Sequence, residues 1–231
     1  KSILQCTKTI VSIYVNKPQF NRNIDFKKYP RILRKDINIL KKLKIDYLYL
    51  PRTNQLYPKG SIKKIKIDSF SNKLCGKFRP GHFKAIADVV SRFVNIIKPH
   101  KIYFGEKDMQ QLLLINNFIK INYKNIKVIG CKTVREPNGV AYSSRNLLLS
   151  SNEKNIASKI YKLLKKSKVK LLDGKIKLLS LKRNIYDLGA DKIDYIKVLD
   201  INKLIKPYNK KNKYRIFIAY HLRSTRLIDN I

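Results

Sequence analysis

Long apolar runs are missing from this chain of 231 residues. Nothing in it approaches the roughly 20 apolar residues that a membrane-spanning helix needs, so no membrane partner is expected. The opening stretch, Lys1-Ser-Ile-Leu-Gln-Cys6, has no apolar core and no small-residue cleavage site, and does not read as a secretory signal. Cysteine is scarce too. Cys6, Cys75 and Cys131 are far apart, form no CxxC pair and are odd in number, which excludes a disulfide framework and favours a reducing, cytoplasmic setting. The three histidines and three cysteines show no metal-site spacing, so no protein-built metal centre is expected. Walker A, GxGxxG and GxSxG motifs are absent, as are internal repeats and low-complexity linkers.

Acidic residues are few: 15 Asp and Glu face 52 Lys and Arg, a net charge of +37. Such an excess suits a polyanion partner. A nucleic-acid-binding protein, however, gathers its basic residues with aromatics on one face. Here the lysines are diffuse, and the abundance of Lys, Asn, Ile and Tyr is what A/T-rich codons encode. No specific nucleic-acid partner is expected; the field draws ATP and carboxylates nonspecifically.

Hydrophobic residues make up 44% of the chain, enough for a sizeable core. Thr9–Val15 reads as a short buried strand, and Asp46–Pro51 as a strand stopped by proline. Between them, Ile32, Leu33, Ile37, Leu40 and Leu43 recur at helical spacing. A second helix carries Phe83, Ile86, Val90, Phe93, Val94 and Ile97 and ends at Pro99, before a strand at 101–104. A third follows Gly105-Glu-Lys-Asp108 with Met109, Leu112, Leu113 and Ile119 on its inner stripe, before a strand at 127–131. This alternation predicts an α/β fold with a parallel sheet. After the turn Glu136-Pro-Asn-Gly139, Ser150 and Glu153 form a capping box opening a helix to about Ser167, and strands are expected at 194–200 and 214–222. The predicted division is a domain at 1–137 and a smaller α+β domain at 138–231.

Candidate chemistry concentrates in a few segments. Gly105-Glu-Lys-Asp108 joins a strand to a helix, where free N–H groups favour phosphate and Lys107 can neutralise it; Glu106 and Asp108 equally suit the helix dipole alone. Tyr142-Ser-Ser-Arg145 sets two hydroxyls beside a guanidinium suited to phosphate oxygens, or is an ordinary capped loop. Asn16 and Gln19 follow a strand end, where their amides can bind a small polar substrate or simply form a turn. Of Gln110 and Gln111, at least one should face a pocket. His82, in a helix-entry turn with Arg79, can titrate near neutrality, but the sequence pairs it with no acid or metal; His100 and His221 read as structural.

Taken in order, Val11–Phe20, Tyr29-Pro-Arg31, Tyr57-Pro58, Arg79-Pro-Gly-His-Phe83, Phe104-Gly-Glu-Lys-Asp-Met-Gln-Gln-Leu112, Val134-Arg-Glu-Pro-Asn-Gly139, Ser143-Ser-Arg-Asn146 and Arg226-Leu-Ile-Asp-Asn230 resemble the pantothenate synthetase family over nearly the whole chain. The resemblance implies a Rossmann-like nucleotidyltransferase domain with a smaller C-terminal domain, usually in a homodimer. It implies adenylation of pantoate by Mg²⁺-ATP, then displacement of AMP by β-alanine. By position, Gly105, Glu106, Lys107, Asp108, Val134, Tyr142, Ser143, Ser144 and Arg145 would bind ATP, with Lys107, Ser143, Ser144 and Arg145 at the reacting phosphates. Gln19 and Gln111 would bind pantoate, Gln19 would also meet β-alanine, and Asn16 and Tyr29 would line or close the pocket. Two departures stand out: Lys17 lies where the family has proline, and Tyr142 where a smaller aliphatic residue is usual. The family's first strand and its HIGH-like stretch with two histidines do not occur in these 231 residues, so little or no synthetase activity is expected of them alone. Two rivals remain within that reading: another nucleotidyltransferase, against which the Arg79–Phe83 and Arg226–Asn230 segments argue, and a remnant that keeps only ATP contacts.

Overall fold

A computed structural model describes residues 1–60, 65–201 and 213–231. It divides into two compact units, residues 1–104 with 110–131, and residues 105–109 with 132–231.

In the first unit, strand β1 (Ile10–Ser12) pairs in parallel with β2 (Tyr47–Tyr49), Ile10 opposite Tyr47. Helices α1 (Asn23–Lys28) and α2 (Leu33–Lys42) lie on the crossover that a parallel pair requires. The expected buried strand at Thr9–Val15 is corrected: only Ile10–Ser12 is strand, and Ile10 and Ser12 are exposed. Among the described residues this sheet has two strands, and β1 is not buried on both faces as a central parallel strand, apolar throughout, would be.

Short helices α3 (Thr53–Leu56) and α4 (Cys75–Phe78) lead to α5 (His82–Ile97). Phe83, Ile86, Val90 and Val94 are buried at the predicted spacing. Lys98 closes the helix in the left-handed region, with φ of 49°, and Pro99 prevents continuation. Strand β3 (Lys101–Gly105) and strand β4 (Lys127–Cys131) form a second two-stranded sheet, with α6 (Met109–Asn122) between them in sequence. The buried side of α6 carries Met109, Leu114, Ile115, Phe118 and Ile119, while Leu112 and Leu113 are only half-covered. This corrects the predicted stripe. Gln110 is buried and Ile121 exposed, so apolar and polar residues are not cleanly segregated and periodicity does not single out the inner face.

The second unit is built on an antiparallel sheet of β5 (Lys192–Asp200), β6 (Tyr214–Leu222) and β7 (Thr225–Asn230). Helices α7 (Ser151–Leu172) and α8 (Leu178–Asp187) supply its apolar cover. Ala157, Ile160 and Leu164 of α7, Leu181 and Ile185 of α8, and Ile216 and Ile218 of β6 share one buried cluster. Each fully buried Leu or Ile there stabilises the fold by about 2 kcal/mol. The capping box is present: Glu153 N–H donates to Ser150 Oγ at 3.2 Å, and Ser150 N–H to Glu153 Oε2 at 2.7 Å. These bonds hold the Glu153 carboxyl below its ordinary pKa. The helix outruns the predicted Ser167 by five residues because no breaker occurs before Gly174. Strand β7 is an addition to the sequence reading. Its two-residue turn, Arg223-Ser224, has none of the Gly or Asn that marks tight hairpins, and Arg223 adopts a φ of 48° regardless.

Gly139 ends the turn after Glu136 with φ of 91°, and a Cβ built there would lie 2.2 Å from the Tyr161 ring. Backbone strain and the collision act together. Gly139→Ala is expected to lower unfolding stability by about 2 kcal/mol. A melting curve within error of the wild-type protein's would refute this.

Candidate functional site

In the first unit, the 3-10 turn Lys17–Gln19 is tied down from several sides. Asn16 is 2% exposed, and its amide is engaged at both ends. Its Nδ2 donates to Ala85 O at 3.2 Å, and its Oδ1 accepts from Tyr57 O–H at 2.9 Å. At the other end of the turn, Gln19 O receives Arg79 Nη2–H at 2.9 Å and His82 Nδ1 at 2.8 Å. Arg79 Nη1 meets His82 Nε2 at 2.9 Å. A guanidinium can only donate, so Nε2 accepts and Nδ1–H is the donor to Gln19. With its main chain clamped, the half-buried side chain of Gln19 is presented from a fixed point. Asn21 Nδ2 adds a bond to Pro80 O at 2.8 Å. Phe20 packs edge-on against Phe26 and Tyr29, centroids 5.4 Å away in both cases, which places Tyr29 beside this turn.

The two glutamines of α6 part company. Gln110 is buried, with Oε1 accepting from Cys75 N–H at 3.0 Å and Nε2 donating to Phe70 O at 3.1 Å and Lys73 O at 2.7 Å. It pins the 70–75 segment and serves the fold. Gln111 is half-buried.

The second unit gathers the other candidate residues. Gly105 is exposed at the end of β3, and Glu106–Asp108 form a 3-10 turn running into α6. Lys107 Nζ lies 3.8 Å from Asp108 Oδ2. The Glu106 carboxylate is paired with Arg215 Nη2 at 2.6 Å. Val134 and Tyr142 are brought side by side, since Tyr142 N–H donates to Val134 O at 3.1 Å and Arg135 bridges Ala141. Both side chains are exposed. Ser143 caps the 3-10 turn Ser144–Leu148 by accepting Arg145 N–H at 3.2 Å, while Ser144 and Arg145 are half-buried. This turn and the Glu106–Asp108 turn both pack against β7.

Several contacts around these segments are between residues far apart in the chain. Arg135 makes a two-pronged ion pair with Asp229, 2.7 and 2.9 Å, although 94 residues separate them. Arg215 reaches the Glu106 carboxylate from β6, and Asn230 reaches the Glu106 and Lys107 carbonyls from β7, a strand that pattern reading does not assign. His221 pairs with Asp194 at 3.2 Å, and His100 accepts Lys127 N–H through its main chain. No group of three or more His, Cys, Asp or Glu among the described residues could hold a metal ion. No described helix is long and apolar enough to cross a membrane.

The profile of the pantoate-beta-alanine ligase family matches residues 1–231. A pantothenate synthetase of Thermodesulfovibrio yellowstonii is 41% identical over 227 residues, covering 96% of this chain and 81% of that protein. Among solved structures, pantothenate synthetase from Thermus thermophilus is similar at a TM-score of 0.90 and 29% identity, over 100% of this chain and 85% of that one. The pantoate-beta-alanine ligase of Francisella tularensis, solved with β-γ ATP and β-alanine, is similar at a TM-score of 0.85 and 38% identity, over 99% of this chain and 80% of that one.

Proposed function

The chain belongs to the pantoate-beta-alanine ligase family, and from that premise we propose that it joins (R)-pantoate to β-alanine through a pantoyl-adenylate intermediate, releasing AMP and diphosphate. The observation that carries the reading is the match of the family profile to residues 1–231.

A pantoate carboxylate oxygen attacks the α-phosphorus of ATP, and the bond to the diphosphate leaving group breaks. The β-alanine amine then attacks the acyl carbon, loses a proton, and AMP departs. Adenylation converts a poor electrophile into a mixed anhydride, and burial protects that anhydride from water. Little covalent chemistry falls to the protein, so its work is orientation and charge stabilisation.

The division of labour follows the residues. Gly105, Glu106, Lys107 and Asp108 with Val134, Tyr142, Ser143, Ser144 and Arg145 bind ATP. Lys107 and Arg145 meet charge on the reacting phosphates, and the Ser143 and Ser144 hydroxyls donate to their oxygens. Gln19 and Gln111 bind pantoate, Gln19 also meets β-alanine, and Asn16 and Tyr29 border the pocket. The clamp on Gln19 O supports its part, because an amide that must orient a substrate gains from a rigid main chain. Residues 1–137 form the nucleotide- and pantoate-binding domain in this reading, and 138–231 the smaller one, in a cytoplasmic homodimer.

Mg²⁺ enters with ATP. Such an ion needs few protein carboxylates; the half-exposed Asp108, only loosely paired with Lys107 at 3.8 Å, would suit it better than Glu106, held by Arg215 at 2.6 Å. The ion would supply charge neutralisation on the phosphates.

Titration calorimetry of the 231-residue chain with ATP tests the placement. Lys107→Ala and Arg145→Ala are each expected to weaken ATP binding by about tenfold or more, the worth of a charge-assisted hydrogen bond. Unchanged dissociation constants in both variants would remove ATP from these segments. With ATP, pantoate and β-alanine supplied, these residues alone are expected to release little AMP, since the His82 ring is bonded to Gln19 O and Arg79 and the His221 ring to Asp194. Full turnover would refute that.

A further inference from the structure

The segment Arg226–Asn230 belongs to the family resemblance, yet nothing in the proposed chemistry uses it. As strand β7 it ends on two adjacent residues that reach in different directions. Asn230 is 3% exposed. Its Nδ2 donates to both Glu106 O and Lys107 O at 2.8 Å, the two main-chain carbonyls flanking the proposed phosphate lysine. Its Oδ1 accepts from Arg215 Nη1 at 2.6 Å, which fixes the amide so that its donors face the turn. The same guanidinium binds the Glu106 carboxylate through Nη2. Asp229, next in the strand, holds Arg135 in a two-pronged pair, and Arg135 also donates to Gly139 O at 3.0 Å. Arg135 sits between Val134 and the bridge to Ala141 that leads into Tyr142–Arg145.

We propose that Asp229 and Asn230 are positioning residues for nucleotide binding. They form one joint that sets the Glu106–Lys107 turn and the Val134–Arg145 hairpin at a fixed separation, so that Lys107 and Arg145 meet one triphosphate together. The inference rests on the ATP reading above. Its physical basis is that each of these segments is short and irregular and has little regular structure of its own to hold it. Buried, multiply bonded side chains from a sheet supply the rigidity. Neither Asp229 nor Asn230 needs to touch the nucleotide.

Asn230→Asp is the discriminating substitution. It keeps the shape and the acceptor for Arg215 but replaces the two donors with an oxygen facing two carbonyls. Asn230→Ala serves as the control that removes every side-chain contact. ATP affinity by titration calorimetry and amide exchange of peptides covering 105–109 are the readouts. Both variants are expected to bind ATP about tenfold more weakly, with exchange at 105–109 about tenfold faster. In a Lys107→Ala background, Asn230→Asp should change ATP affinity less than about twofold, because the joint acts through the lysine. ATP affinity within about twofold of wild type in Asn230→Asp, while Lys107→Ala alone weakens it, overturns the joint and leaves the ATP reading intact. Unchanged affinity in Lys107→Ala overturns the ATP reading instead. Unchanged exchange at 105–109 in both Asn230 variants also overturns the joint, whatever ATP does.

Discussion

Asp88→Ala is expected to lower the unfolding free energy by about 4 kcal/mol, the range for stripping one partner from a buried ion pair. Asp88 and Arg92 stand one turn apart on α5, with Arg92 Nε donating to Asp88 Oδ1 at 2.8 Å and side chains 2% and 7% exposed. Arg92 also donates to Leu56 O and lies over the Tyr57 ring at 4.3 Å. Without Asp88 the guanidinium loses that carboxylate, in surroundings where water does not replace it. Burial, with the Asp88 charge, pushes the Tyr57 hydroxyl up to about 12, so it stays neutral and donates to Asn16. The damage therefore runs from α5 through Tyr57 and Asn16 to the turn that presents Gln19. Chemical denaturation of the variant measures it. The double variant Asp88→Ala/Arg92→Met should recover part of the loss, since the buried guanidinium charge goes with it. A single variant within about 1 kcal/mol of wild type, or a double variant worse than the sum of its parts, would defeat the account.

The second large effect is in the other unit. Asp194 is 3% exposed in its side chain and receives Arg226 Nε–H at 2.7 Å and His221 Nε2 at 3.2 Å, with Lys192 Nζ at 3.7 Å. Burial alone would raise its pKa, but the hydrogen bond and charge of Arg226, helped by His221, outweigh it and hold the carboxyl below the ordinary 3.8. A depressed carboxyl pKa stabilises the fold above the unfolded value, and that stabilisation disappears as pH falls through the folded one. Asp194→Ala is expected to cost about 3 kcal/mol at pH 7, because half-buried Arg226 loses the Asp194 carboxylate and His221 loses its acceptor. As pH falls past the ordinary 3.8, where the unfolded carboxyl takes up its proton, and on toward the lower folded value, the gap between the two melting temperatures narrows. Melting curves from pH 7 to pH 3 check both statements. A gap that stays constant or widens toward pH 3 would mean that the charge on Asp194 is not the source.

Local chemistry was legible where local rules suffice. The capping box at Ser150 and Glu153, the proline stop after α5 and strand β6 at 214–222 follow from patterns confined to a few residues. The edges of β1 and the inner face of α6 were not legible, because neighbours decide burial and α6 buries Gln110 while exposing Ile121. The hairpin at Arg223-Ser224 was hidden by turn residues that carry no hairpin signal. Gln110 and Asn16 read alike as polar residues near a strand end or helix start, and only tertiary contacts assigned both amides to holding the main chain.

The amino-acid sequence by itself determined the α/β alternation, the order of the candidate segments and, through that order, the family. Those properties are written in spacing along the chain, which survives without knowledge of contacts. What the tertiary structure decided is which polar groups orient the segments: Arg79 and His82 on Gln19, Asp229 on Arg135, Asn230 on Glu106 and Lys107. Those partners are up to 124 residues apart. No local propensity encodes such a pairing, because a hydrogen bond depends on distance in space, and only folding brings these atoms within about 3 Å of each other.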